Sequence, residues 1–210
     1  NGWGEWREPN QGAINDWVLV PELTHGHTSQ IIRCANQMTL RCAYVFYDAI
    51  PWKMGEFYPL EVKEAHRIYM EELNACEKVF PISQFAGSDL KSFLGSSSLH
   101  TPALENRIET CVLPGEFLGT NRVYKIKENK SKTIKILCVG TVEPRKNHLT
   151  LLQAFEQIKE QSSASIELVL AGGDLYPSLS KEINHYINTI PNISWEKVVD
   201  DIRLSELYAE

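Results

Sequence analysis

Arg145 and Lys146 sit side by side in GTVEPRKN (residues 140–147), directly after an apolar run containing Ile134, Ile136, Leu137 and Val139. Such a run predicts a buried strand, and Gly140 predicts where it stops, because glycine turns at little steric cost. Open α/β sheets bind ligands at the carboxyl ends of their strands, so two cations on this connection predict an anion as the guest. A second strand, SIELVLAGG (residues 165–173), ends in Gly172 and Gly173, which let a phosphate or sugar approach the backbone closely. A third, CAYVFY (residues 42–47), runs through Tyr47 into Asp48. That carboxylate either serves a site at the strand end or caps the turn that follows it.

The elements that position these residues are read from periodicity. After Asn147, an expected N-cap, Leu149, Leu152, Phe155 and Ile158 recur on one helical face. DWVLVP (residues 16–21) predicts a buried strand. The helix after it should be capped by Thr28 or Ser29, and with the strand at 42–47 it makes a parallel βαβ unit. Residues 61–78 predict a long amphipathic helix whose acidic side is solvated. A strand at 79–83 follows, and Ser83 should cap a helix over 85–94 that carries Asp89. Residues 96–101 predict a polar loop. A strand at 108–113 ends at Pro114 and Gly115, and later come a helix at 179–190, a strand at 192–195 and a helix at 204–209. Trp3 and Trp6 lie in a segment predicted to be loop, where they either stack on a sugar or pack the loop onto a core.

The 210 residues, 43% hydrophobic and 23% charged, suit one large or two small globular domains. A formal net charge of −6 argues against a general nucleic-acid binder. The five cysteines form no CxxC pair and read as reduced core residues of a cytosolic protein. No Cys/His grouping has zinc-ligand spacing, the His25–His27 pair being too sparse, so no metal is expected. No apolar stretch approaches the ~18 residues of a membrane span. The run at 122–135 has six Lys or Arg against one Glu; it is either a solvated interdomain linker or a contact for anionic lipid.

GTVEPRKN, the helix after it and ELVLAGG (residues 167–173) together resemble the family 4 (group 1) glycosyltransferases of the GT-B fold. The resemblance extends to YDAIP (residues 47–51), similar to that family's HD-x-IP segment, and to Pro114-Gly115, similar to the end of its first domain. It implies two Rossmann-like α/β domains facing across a cleft, both incomplete here. An acceptor-side domain would span residues 1–121, a linker 122–131 and the first half of a donor-side domain 132–210. Two departures stand out. Thr141 occupies a position where many members have Arg, and Tyr47 one where many have His.

The resemblance implies a metal-independent, retaining hexosyltransferase, possible mannosyl transfer included. It would use a GDP- or UDP-linked sugar without a further cofactor and act on a glycan or lipid-linked acceptor in polysaccharide biosynthesis. Its place would be the cytoplasm, with peripheral contact at the inner face of the membrane. Arg145, Lys146 and Asp48 are then the catalytic candidates. Gly140, Thr141, Gly172, Gly173 and Val198 would bind the donor, and Tyr47 and Ser83 would face the acceptor. The family's paired glutamates would follow the 204–209 helix, beyond Glu210, so the chain is expected to be a fragment, inactive alone. The competing expectation is a GT-B-like binding protein that keeps a diphosphate site and has lost transfer. An NAD-dependent enzyme would need a G-x-G-x-x-G turn, which the sequence lacks.

Overall fold

The computed structural model describes residues 16–96, 106–115 and 133–209. Trp3, Trp6, the linker at 122–131 and all but the last three residues of the cationic run lie outside the described residues, as does the 96–101 loop after Ser96. The chain divides into two compact units, Asn1–Thr120 and Asn121–Glu210.

Within unit 1, β1 (Trp17–Val20), α1 (Thr28–Gln37) and β2 (Arg41–Phe46) form the parallel βαβ unit, with Leu19 opposite Ala43. A short helix α2 (Ile50–Lys53), the longer α3 (Leu60–Glu72), β3 (Lys78–Pro81) and α4 (Gln84–Ser96) follow. The strand order among the described residues is β1-β2-β3, all parallel. Tyr44 and Phe46 from β2 meet Tyr69, Met70 and Leu73 from the α3 segment and Leu90 and Leu94 from α4, all with 1% exposure or less. Burying each such side chain contributes about 1.5–3 kcal/mol.

Several expectations change here. The strand at 16–21 is not buried: among the described residues it pairs on one side only, and Trp17 is 45% and Leu19 58% exposed. α3 stops at Glu72 rather than 78, and a 3-10 turn (Leu73–Ala75) leads into Cys76, whose backbone is extended. The reason is tertiary, since Glu77 N–H already donates to Cys42 O (2.9 Å) and sheet pairing recruits these residues. Residues 108–113 form one bridge to β3 instead of a strand. Val79 exchanges bonds with this segment, donating to Arg107 O and accepting from Glu109 N–H, but at Pro81, which accepts from Cys111 N–H, proline has no N–H to return and the ladder stops. Neither Thr28 nor Ser29 caps α1. His27 holds that position, Thr28 Oγ1 donates to Thr24 O, and Ser29 Oγ donates to Glu72. Cys42 and Cys76 are buried thiols, whereas Cys34 and Cys111 are exposed rather than core.

Unit 2 repeats the plan with β4 (Thr133–Val139), α5 (His148–Gln161), β5 (Ser165–Ala171), α6 (Pro177–Thr189), β6 (Ile193–Glu196) and α7 (Asp201–Ala209). The parallel order is β4-β5-β6. β5, the middle strand, buries Leu168 and Leu170 against Leu152 and Phe155 of α5 and Ile183 of α6. β4 is therefore at the edge of the described sheet, not central and buried as its composition suggests: Ile134 is 54% exposed. Ile158, the last residue of the predicted apolar stripe on α5, is also exposed.

Candidate functional site

In unit 2 the carboxyl ends of β4 and β5 are clamped by two glycines. Gly140 (φ +146°) donates its N–H to Ala171 O at 2.8 Å, and Val142 N–H reaches Gly173 O at 2.8 Å. Gly172 (φ +148°) lies so close that a Cβ there would stand 2.3 Å from Gly140 O. Both glycines are in the left-handed region that side chains avoid, so this close approach needs glycine twice. Trp195 Nε1 on β6 donates to Gly172 O (2.9 Å) and fixes the peptide from the other side. Gly172 N–H donates to Glu196 O, which brings the end of β6 alongside; Val198, two residues further, is 93% exposed. Thr141 is half-buried between Gly140 and the fully buried Val142.

The EPRKN residues form a 3-10 turn (Pro144–Lys146) and then Asn147 in the left-handed conformation (φ 53°). That backbone is the reason Asn147 occupies the N-cap position of α5 without capping it: a capping side chain needs extended φ/ψ, and here Oδ1 accepts from Thr150 Oγ1 (2.8 Å). Glu143 gathers both cations. Its carboxylate takes Arg145 Nη2 at 2.8 Å and Nε at 3.0 Å, and Lys146 Nζ at 3.1 Å. Burial alone would raise the Glu143 carboxyl; the bonds from Lys146 and Arg145 outweigh it and hold it below the usual carboxylate range. Lys146 lies across the end of β4, since a Cβ on Gly140 would be 3.0 Å from Nζ. Glu143 uses two of the five N–H donors of the guanidinium and one of the three on the ammonium. The cations are thus oriented at the strand tip by a carboxylate of their own turn, and an anionic ligand would meet them there in competition with Glu143.

The strand ends of unit 1 are organised mainly by hydrogen bonds to the main chain and between side chains. Tyr47, 41% exposed, donates its hydroxyl to Pro21 O at 2.7 Å and ties the β1–α1 loop to β2. Asp48 Oδ1 accepts from Ile50 N–H (2.9 Å), the turn-capping alternative. Its main-chain carbonyl meets His66 Nε2 at 3.0 Å, and His66 Nδ1 meets His25 Nε2 at 3.1 Å. Ser83 Oγ accepts from Ala86 N–H (3.1 Å) and caps α4 as expected, and Asp89 on that helix pairs with Lys53 at 2.8 Å. Among the described residues no group of three or more His, Cys, Asp or Glu is arranged to hold a metal ion.

The segment that holds the glycines and cations of unit 2 is similar to a known family. Residues 121–209 match the family model of glycosyl transferases group 1. Almost the whole chain (96%) is similar, at 34% identity, to the serotype-specific mannosyltransferase WbdA of Escherichia coli, although it spans 26% of that relative. In solved structures the fold is shared with HepE of Anabaena in complex with UDP and glucose (TM-score 0.61, 14% identity, 88% of this chain, 49% of that one). It is shared too with the UDP-forming α,α-trehalose-phosphate synthase of Burkholderia xenovorans in complex with glucose-6-phosphate (TM-score 0.62, 12% identity, 93% of this chain, 50% of that one). The chain therefore spans about half the length of these structures, and its α/β fold is of GT-B type.

Within the group 1 segment, the sequence reading passed over His148. It is 1% exposed, its Nδ1 has no hydrogen-bond partner among the described residues, and burial, followed by the nearby Lys146 charge, holds its pKa below the ordinary histidine value. In unit 1 it passed over His66 and weighed His25 only as a zinc ligand. His66 precedes Tyr69, Met70 and Leu73 at three, four and seven residues, the spacing of a buried helical stripe, and that signal was available.

Proposed function

We propose that the chain forms part of a family 4 type, retaining glycosyltransferase that moves a hexose from a nucleotide-sugar to a glycan or lipid-linked acceptor in polysaccharide biosynthesis. The observation that supports this most is the pair Arg145 and Lys146, oriented by Glu143 at the glycine-clamped end of β4. Departure of a nucleoside diphosphate builds negative charge on the β-phosphate. Preset cations stabilise that charge as it develops, the guanidinium as a fork and the ammonium as a point charge. The family match and the likeness to a mannosyltransferase make mannose, and so a GDP-linked donor, the first sugar to try; the UDP-bound structural neighbour makes a UDP-linked donor the second.

In this reading Gly140, Thr141, Gly172 and Gly173 receive the diphosphate, and backbone near Val198 meets the nucleobase. Tyr47, Asp48 and Ser83 line the acceptor side, and no metal is required. No helix of the described residues is long and apolar enough to cross a membrane. In this reading the reaction takes place in the cytoplasm, and the cationic run at 122–135 is a solvated interdomain linker, with contact to anionic lipid at the inner membrane face as the alternative.

A transfer assay on the full-length protein with GDP-mannose and UDP-glucose tests the reading. Lys146→Ala is expected to lower turnover about 100-fold to 1,000-fold, the usual loss when one preset electrostatic partner is removed. Near-normal transfer by that variant overturns the assignment. The second reading, a protein that binds nucleotide without transfer, is favoured by Tyr47: it occupies the place of the family's histidine and its hydroxyl is committed to Pro21 O. Binding of UDP or GDP with no transfer to any acceptor would establish it.

A further inference from the structure

The carboxyl ends of β1 and β2 carry a row of groups whose protons can be assigned by elimination. Asp48 O is a carbonyl and only accepts, so His66 Nε2, 3.0 Å away, carries the hydrogen. In a neutral ring this leaves His66 Nδ1 as a lone pair. Its partner 3.1 Å away, His25 Nε2, must then donate. A neutral His25 that donates through Nε2 has its other nitrogen, Nδ1, unprotonated, on the side of the ring turned away from His66. Burial keeps both rings below the ordinary histidine pKa, with the carbonyl of Asp48 acting the other way on His66, so the neutral row persists near neutral pH.

The row is held rigidly. His66 is 3% exposed on α3, and both rings pack against Tyr69, at centroid distances of 5.6 Å and 5.8 Å. His25 is half-buried on the loop between β1 and α1. That loop is tied down by Tyr47 on Pro21 O and by Thr24 Oγ1, which is 3.2 Å from the Tyr44 hydroxyl. Among the described residues none hydrogen-bonds His25 Nδ1. What the two histidines present at these strand ends is therefore a neutral proton acceptor, His25 Nδ1, which suits a hydroxyl and not an anion.

We propose that His25 Nδ1 accepts a hydrogen bond from a hydroxyl of the acceptor carbohydrate, and that His66 is the positioning residue that locks His25 in the tautomer able to do so. The proposal rests on the transferase reading and adds to it the group that recognises the acceptor. Neither histidine needs to change charge.

Nitrogen-15 histidine spectra of the chain, titrated with methyl α-mannopyranoside, test it directly. Both rings are expected as Nε2–H tautomers, and the His25 Nδ1 resonance is expected to move saturably with the sugar. A His25 Nδ1–H tautomer, or an Nδ1 resonance that stays put, overturns the proposal whether or not the protein transfers sugar. In transfer assays on the full-length protein, His25→Ala is expected to raise the acceptor KM about tenfold, the worth of one hydrogen bond, with the donor KM unchanged. His25→Asn, whose amide oxygen can overlay Nδ1, should restore most of that loss. His66→Gln keeps a donor for Asp48 O but removes the Nδ1 acceptor, and should raise the acceptor KM as well. An unchanged acceptor KM in His25→Ala, or no rescue by His25→Asn, overturns the role of His25 while leaving the transferase reading intact. Absence of both nucleotide binding and transfer in the wild-type protein instead removes the transferase reading.

Discussion

At the end of β4 the polar groups are joined in an ion cluster, and at the end of β2 they are joined by hydrogen bonds without an ion pair among them. Glu143, Arg145 and Lys146 form an ion cluster over a backbone stripped of side chains by Gly140 and Gly172. Tyr47, Asp48, His66 and His25 instead spend most of their polar atoms on main-chain carbonyls, an amide and each other. Among the described residues the two units share a plan of three parallel strands with helical crossovers, and the carboxyl end of each sheet is specialised differently. A bare, cationic strand end suits a diphosphate, which needs close backbone approach and charge. A strand end held by hydrogen bonds, with no side-chain cation among those groups, suits a hydroxyl, which needs a fixed acceptor. The fold supplies the location, and the connection leaving each strand supplies the chemistry.

The largest expected effect comes from filling the backbone contact in unit 2. Gly172→Ala sets a methyl group 2.3 Å from Gly140 O at φ +148°, and should destabilise unit 2 by about 3 kcal/mol or more. Hydrogen exchange of the β4 and β5 amides should rise in this variant while that of β1–β3 holds. Equal loss in both units would mean that they do not unfold independently.

A smaller effect of opposite address follows from the histidines. His25 and His66 in unit 1, and His148 in unit 2, have folded pKa values below the ordinary one of about 6.5. As pH falls below that value the unfolded chain takes up protons that the folded chain refuses, so stability is lost until the folded pKa values are passed. Unit 1 should therefore weaken more than unit 2 between neutral pH and the carboxylate range, as read by the same amides. His66→Gln should flatten that slope. The smallest effect is local: Ser83→Ala removes the Ala86 N–H acceptor and should cost unit 1 about 1 kcal/mol in a denaturant titration.

Much of this was legible in the sequence because it is local. A strand, a glycine, two cations and an apolar helix sit within 22 consecutive residues (134–155), and each has a turn or periodicity rule that names it. Ser83 was legible for the same reason. Which strand lies in the middle was not: β1 and β4 have the apolar content of buried strands, yet strand order is set by pairings between residues about 25 to 35 positions apart. Caps at Thr28, Ser29 and Asn147 failed where tertiary partners or a left-handed backbone claimed the side chain. The Glu143 cluster was half legible. The carboxylate lies three residues before Lys146, within reach across one turn, but its bidentate grip on Arg145 needs the coordinates.

The central claim is that the charged strand end of unit 2 binds a nucleoside diphosphate. Calorimetric titration of the protein with UDP and with GDP, repeated on Lys146→Ala and on Lys159→Ala as a lysine committed to Pro191 O, tests it most directly. The account predicts binding of at least one nucleotide, weakened about tenfold or more by Lys146→Ala, consistent with loss of a charge-assisted contact, and unaltered by Lys159→Ala. Binding that is indifferent to Lys146, or no binding of either nucleotide, would contradict it.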